Sequence, residues 1–380
     1  MKILHVVPSI NLAYGGPSRT TVHLANNLAV INGCEVYFYT YEELNEDRLE
    51  FFPEVFAFTR ICSRYYRLVS VLRDFYRIKS ILKEFDIDIV HIHGVWHPLG
   101  HFSAKAASCL NVPYIIQPRG MLEPWAMKFR WLKKKFAMSI YQKSDLRGAS
   151  GFIATSDQEA HSLRVLCKSD HVAVIPNGVE LLSNNIFVSN KSYIKTALFM
   201  SRIHPKKGVY ELVGAWEKLK PEGWFLRIVG PDDGGHLARI RRLVNRLQLE
   251  DMVKVVGPLY GESREIEYAR ADLFILPTYS ENFGIAIAEA LSYGIPVLTT
   301  TGAPWSSIVD NKCGWWIDPG EESLVDALPK ALSISDAERF EMGSRAKKLA
   351  ANFEWGSVAQ QTLDFYSKVI SESKNNLYKY

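Results

Sequence analysis

The chain alternates short apolar runs with longer stretches of helical period, and it runs through that alternation twice. In the first half "KILHVVPSI", "CEVYFYT", "DIVHIHG", "VPYIIQPRG", "GFIATS" and "VAVIPNGV" read as strands, with helical segments such as "SRTTVHLANNLA" between most of them. Near residue 196 the series restarts with "TALFMSRI", "WFLRIVGP", "VKVVGPL", "ADLFILPT", "IPVLTT" and "GWWID". Strands apolar on both sides, separated by helices, require parallel pairing with the helices laid over both sheet faces. The pattern predicts an α/β protein with two doubly wound parallel sheets. A chain of 380 residues is also long for one core. The polar stretch "LLSNNIFVSNKSY" (181–193) is the expected linker between the halves.

Composition removes several function classes. A formal charge of +4 is too small to argue for nucleic acid, and no nucleic-acid-binding motif accompanies it. Cys34, Cys62, Cys109, Cys167 and Cys313 are scattered, with no C-x-x-C pair and no zinc-like spacing to histidine. They read as thiols of a reducing compartment, which points to a cytoplasmic protein. Pro8 and Asn11 cut the N-terminal apolar run short of a signal-peptide core. No apolar stretch approaches the roughly 18 residues of a spanning helix, so any membrane contact is expected to be peripheral.

In open parallel sheets ligands sit beyond the carboxyl ends of the strands, so the loops there carry the chemistry. After the first strand, Gly15 and Gly16 allow close backbone approach before a helix expected to open near Ser18. This is not G-x-G-x-x-G, which disfavours a nicotinamide site; a plain strand-to-helix turn is the simpler reading. In "FMSRIHPKKG", Arg202 and Lys207 put two cations on one loop, which suits a diphosphate; a solvated turn is the alternative. In "YSENFGIAIAEALSYGIPV", Glu281 lies in a loop and Glu289 falls inside a helix expected to start at Phe283 or Gly284. The free N–H groups at that helix start favour a phosphate, and an ionised carboxylate set back from it can accept from two vicinal hydroxyls. Acids that merely stabilise a helix dipole are the competing explanation.

With these pieces in order, "SENFGIAIAE" resembles the E-x7-E signature of retaining glycosyltransferases with the GT-B fold, within glycosyltransferase family 4. The Gly15-Gly16 loop, "DIVHIHG", "VIPNGV", "SRIHPKKG", "IVGP" and "FEWGSVAQQTLDFY" follow the family's order, so the resemblance covers essentially the whole chain. It implies two facing Rossmann-like domains with a cleft between them: 1–180 on the acceptor side, a linker at 181–195, a nucleotide-sugar domain at 196–354, and a helix over 355–380 crossing back to the first domain. It implies that Arg202 and Lys207 bind the diphosphate of a uridine or guanosine donor. Glu289 would hold the ribose, and Glu281 with the backbone of Asn282, Phe283, Gly284 and Ile285 the donor sugar. Gly16 and Gly230, the latter in "IVGP", would lie on the donor side as well.

The implied reaction is transfer with retention to a saccharide hydroxyl, on a lipid-linked acceptor of polysaccharide or lipopolysaccharide synthesis, with no metal and no other cofactor. One departure stands out. Where many relatives carry a histidine, "IIQPRGMLEPWAM" offers Arg119, which cannot act as a base but can hold an acceptor phosphate or a leaving-group oxygen. His93 is the other acceptor-side candidate, with a buried core histidine as the alternative. Asp86 and Asp88 in "FDIDIV", and Asp232 and Asp233 in "GPDDGG", read as turns rather than metal ligands. The roles of Trp305, Trp315 and Trp316 stay open.

Two stretches, "MKFRWLKKKFAM" (127–138) and "RICSRYYRLVSVLRDFYRIK" (60–79), mix cations with aromatic residues and suit the anionic inner face of the cytoplasmic membrane; ordinary charged helix faces explain them equally. Other functions remain in competition: a nucleotide-sugar epimerase or hydrolase of the same fold, or a non-catalytic sugar-binding homologue.

Overall fold

The structure, a computed structural model, describes residues 1–11, 16–42, 50–61, 67–181 and 194–377. The strands of the described residues form two wholly parallel sheets. The first has β1 (Lys2–Val6), β2 (Glu35–Glu42), β3 (Val55–Ile61), β4 (Ile89–His93), β5 (Tyr114–Gln117), β6 (Gly151–Ala154) and β7 (Val172–Val174), in the order β3-β2-β1-β4-β5-β6-β7. The second has β8 (Lys195–Met200), β9 (Trp224–Val229), β10 (Val253–Gly257), β11 (Leu273–Leu276), β12 (Val297–Thr300) and β13 (Gly314–Ile317), in the order β10-β9-β8-β11-β12-β13. Strand order reverses between β1 and β4 in one sheet and between β8 and β11 in the other. Helices leave to opposite faces at such a point, and the strand ends there open a crevice suited to a ligand.

The chain divides into two compact units, Met1–Gly178 with Trp355–Tyr380, and Val179–Glu354. The expected linker lies mostly outside the described residues. In the first unit, one sheet face buries Ile3, Val7, Ile89 and Ile115 against the helices Gly16–Ala29 and Trp355–Leu377, which contribute Leu24, Leu28, Trp355, Val358 and Tyr366. The other face buries Leu4, Val90, Ile92 and Ile116 with Ile78, Ile81 and Leu99 of the helices Arg67–Glu84 and Pro98–Cys109. The second unit has its own core, in which Phe199, Leu226, Phe274 and Leu298 meet Trp216, Ile287 and Leu328.

Three details differ from the sequence reading. β3 was not expected: as an edge strand it buries Val55 but leaves Phe56 and Ala57 exposed, and it abuts a basic segment. "VAVIPNGV" yields only the three residues of β7, because Pro176 cannot donate to a ladder. The first helix opens at Gly16, two residues before Ser18.

Candidate functional site

In the second unit the two loops at the switch point are fastened to each other before any side chain is considered. The carbonyl of Lys206 accepts from Tyr279 N at 2.8 Å and from Thr278 Oγ1 at 3.1 Å. Gly208, at φ 70°, packs so tightly that a Cβ would stand 2.0 Å from the carbonyl oxygen of Pro277, which no side chain could tolerate. Glu281 N donates to Gly302 O at 2.7 Å, tying the loop after β11 to that after β12. This clasp brings Lys207 Nζ onto Glu281 Oε1, and both side chains are nearly excluded from water at 7% and 14% exposure. Two residues seventy-four apart in sequence thus form one charged centre at the mouth of the switch point.

The helix Ile285–Ser292 starts just beyond it, with Gly284 at φ 82° as its N-cap, one residue later than the expected range. Phe283 is buried against Trp305 and Phe353, and Trp305 Nε1 donates to the Phe283 carbonyl. That settles Trp305 as a core residue that fixes the helix entry. Asn282 follows Glu281 on the same half-buried turn. Inside the helix, Glu289 Oε2 accepts from Arg264 Nη2 and from the Tyr268 hydroxyl, the latter at 2.9 Å. The sequence reading missed both partners. They lie one turn apart on the helix Gly261–Arg270, and that i, i+4 spacing was the signal available. Burial acts on Arg264 in the opposite sense, but its pKa is pushed up on balance, with the Glu289 carboxylate and the Tyr268 oxygen both favouring the charged guanidinium.

Arg202, on the same loop as Lys207, is more than half exposed and pairs with Asp233 at 2.9 Å. Asp232 accepts from Gly235 N at 3.0 Å and Leu237 N at 2.8 Å, so "GPDDGG" is a turn whose first acid takes up an N–H from the first turn of the helix His236–Arg246, N-capped by Gly235. Gly230 leads into that turn and donates to Gly257 O at 2.8 Å. Asp88 is spent on the fold as well, accepting from Lys2 N at the start of β1 at 2.8 Å. Trp316 Nε1 donates to Ala303 O at 2.9 Å, and Trp315 packs against the core.

At the switch point of the first unit, His5 on β1 is in register with His91 on β4, and His93 follows on the same face. All three are buried. Arg119, at the end of β5 with φ 56°, reaches over them: Nη2 lies 3.1 Å from His93 Nδ1, and Nη1 donates to Thr20 Oγ1 at 2.6 Å and Asn177 Oδ1 at 3.3 Å. His93 Nδ1 thus faces a group that can only donate, while its Nε2 shares a hydrogen bond with His5 Nδ1 at 2.9 Å. Gln117 Oε1 sits 3.2 Å from His93 Nδ1, and the Tyr366 hydroxyl 2.5 Å from His91 Nδ1. Burial lowers the pKa of all three imidazoles, and the Arg119 charge adds to it; His5 falls to about 3. Burial also pulls Arg119 down to about 10. The ring nitrogens lie within 4.8 Å of one another, as metal ligands might. Yet two are already hydrogen-bonded to each other, the His91 and His93 rings are only 3.9 Å apart centroid to centroid, and a guanidinium adjoins them. The arrangement suits a neutral relay under Arg119 better than a cation site.

Arg119, Thr20, Gln117 and Asn177 line a small cavity beside Trp355, and Arg119 Nε has no partner among the described residues. The loop glycine Gly15 lies outside the described residues, and Gly16 begins the adjoining helix.

Comparison with known proteins places these features. The family model for glycosyl transferases group 1 matches residues 184–349, and that for glycosyltransferase family 4 matches residues 14–181. A D-inositol 3-phosphate glycosyltransferase of Kineococcus radiotolerans is 28% identical over 262 residues, covering 61% of this chain and 60% of that protein. The chain thus spans about three-fifths of the length of such curated relatives. Among solved structures, a sucrose-phosphate synthase from Thermosynechococcus elongatus superimposes with a TM-score of 0.79 at 20% identity, over 98% of this chain and 100% of that one. Anabaena HepE, in complex with UDP and glucose, gives 0.74 at 18% identity over 97% and 100%. Those two likenesses establish the fold, and the two family models, one on each half, establish the kinship: the chain belongs to glycosyltransferase family 4 and has the GT-B fold.

Proposed function

We propose that the protein transfers a sugar from a nucleoside-diphosphate donor to a hydroxyl of a saccharide acceptor, with retention at the anomeric carbon. The observation that carries this reading is the Lys207–Glu281 centre at the tip of the helix Ile285–Ser292, with Glu289 set back along the same helix. Lys207, Arg202 and the helix N-terminus supply positive charge for a pyrophosphate, while Glu281 supplies an acceptor for sugar hydroxyls. Glu289, steadied by Arg264 and Tyr268, is assigned to the ribose. In the transfer, the bond from the anomeric carbon to the phosphate oxygen breaks and the acceptor oxygen bonds on the same face. The acceptor proton leaves with the diphosphate.

Since the chain's own cations meet the pyrophosphate charge, this reading needs no metal, and turnover is expected to survive EDTA. HepE was solved with UDP and glucose, which supports a uridine donor here. Arg119 and His93 are assigned to the acceptor side, with a lipid-linked acceptor presented at the cytoplasmic face of the membrane. The test is a thermal-shift series with UDP, GDP and their sugars, because a ligand that binds only the folded state raises Tm. A donor that raises Tm should also be consumed, giving a product whose anomeric configuration by NMR matches the donor. Indifference to every nucleoside diphosphate, or an inverted product, would remove the proposal.

A further inference from the structure

Between Pro124 and Ser144 the chain carries six lysines and arginines and no acid. This stretch folds into two short helices, Pro124–Lys128 and Trp131–Ala137, and a π-helical turn, Met138–Gln142. Arg130, left-handed at φ 52°, turns the chain between the first two. One side of the excursion is moored to the first unit. Met127 and Met138 pack on its core, Gln142 Oε1 accepts from Trp96 N at 2.7 Å, and Lys134 Nζ lies 5.8 Å from the Trp96 ring centroid.

The same stretch also exposes more large apolar side chains than soluble proteins usually leave in so short a segment. Trp125 is 51% exposed, Phe129 62%, Trp131 56%, Leu132 64%, Phe136 69% and Ile140 61%. Interleaved with them, Lys128, Arg130, Lys133 and Lys135 are exposed as well. Two of these cations lie against rings of the patch, Arg130 at 5.2 Å from the Phe129 centroid and Lys135 at 5.9 Å from that of Trp131.

We propose that this surface docks on an anionic lipid bilayer, with the aromatic and aliphatic side chains entering the headgroup boundary and the cations held against lipid phosphates. Protein interfaces exclude lysine from their centres, whereas here exposed lysines alternate along the chain with the exposed apolar side chains. A second copy of the chain would set one uncompensated cationic strip against another. Aromatic rings mixed with Lys and Arg on short moored helices are what an interfacial segment requires. Among the side chains described in the other basic stretch, from Arg73 on, this design is not shared. In the helix Arg67–Glu84, Ile78, Ile81 and Leu82 face the core, and Tyr76 is the one large apolar side chain exposed among its described residues. Docking goes beyond the transferase reading and does not depend on it.

The experiment is co-sedimentation of the full chain with phosphatidylcholine vesicles, with and without phosphatidylglycerol, at low and high salt. Binding is expected only with the anionic lipid, falling with salt, and about ten-fold weaker in a Trp131→Gln, Phe136→Gln variant and in a Lys133→Glu, Lys135→Glu variant. All four positions are exposed, so both variants should keep the wild-type Tm and the wild-type response to nucleoside diphosphates. That second readout separates failure of this proposal from failure of the transferase reading. Absence of vesicle binding, equal binding to neutral vesicles, or dimerisation abolished by the same substitutions would each overturn it.

Discussion

Lys207 and Glu281 neutralise each other where water hardly reaches, so neither can be deleted innocently. Removing one partner of a buried pair strands the other charge at a cost of about 3–5 kcal/mol, while replacing both by apolar groups of similar shape is often neutral. The Lys207→Ala variant should therefore lose both stability and turnover. The combined Lys207→Met, Glu281→Leu variant should melt within a few degrees of wild type and yet be inactive. Measuring Tm and turnover on both separates the structural from the chemical part; activity in the double variant would contradict the proposed site. A second residue-scale expectation concerns His5, His91 and His93. Their folded pKa values lie below the unfolded value of about 6.5, so their contribution to stability is intact above that pH and is lost as pH falls below it, for His5 down to about 3. Between pH 7 and 5 His5 withdraws about 2 kcal/mol, and His91 and His93 act in the same direction. Thermal melts at the two pH values should show a shallower loss in His5→Gln than in wild type, and equal losses would mean that His5 does not bear this linkage. Glu281, Lys207 and Arg119 could be singled out in the sequence, because each follows an apolar run at the place where a strand must end. That Lys207 pairs with Glu281, or that Arg264 reaches Glu289, was not legible, since those contacts depend on which strands lie side by side.

The strands that could be read directly were those buried on both faces. β8, β9 and β11 are short, almost wholly apolar, and central or next to central in their sheet. β3 escaped notice because an edge strand need bury only one side, leaving Phe56 in solvent. The start of the helix Ile285–Ser292 was legible to within one residue, and its reason lies in Gly284. At φ 82° this residue turns the chain into the helix, and a Cβ there would press Ile287 Cδ1 at 3.1 Å and Trp305 Nε1 at 3.4 Å. Gly284→Ala should therefore cost about 1–2 kcal/mol in backbone strain. The larger effect is expected on ligand binding, because re-aiming the first turn moves the N–H groups assigned to the phosphate. Calorimetric titration with a nucleoside diphosphate should show affinity falling about ten-fold, more than the drop in Tm would suggest. Unchanged affinity would place the phosphate away from this helix tip.

At the scale of the whole molecule, the two units differ in how they are closed. The second is one continuous segment, Val179–Glu354, with its own sheet and core and all the residues assigned to the donor except Gly16. The first is discontinuous, for the helix Trp355–Leu377 lays Trp355, Val358, Tyr366 and Val369 over the β1–β4 face, where Tyr366 also meets His91. A sheet stripped of one covering helix exposes apolar strands and leaves buried polar groups without partners, and both effects are costly. Expressed alone, residues 179–354 should unfold in one cooperative transition at a Tm raised by the same nucleoside diphosphate that stabilises the full chain. Residues 1–178 alone should lack such a transition and bind a hydrophobic dye such as ANS, as chains with exposed apolar surface do. The contiguous fragment is the more demanding arm. If it folds but ignores nucleotide, then donor recognition needs groups from the first unit, and the assignment of binding to Lys207, Glu281 and Glu289 by themselves is wrong.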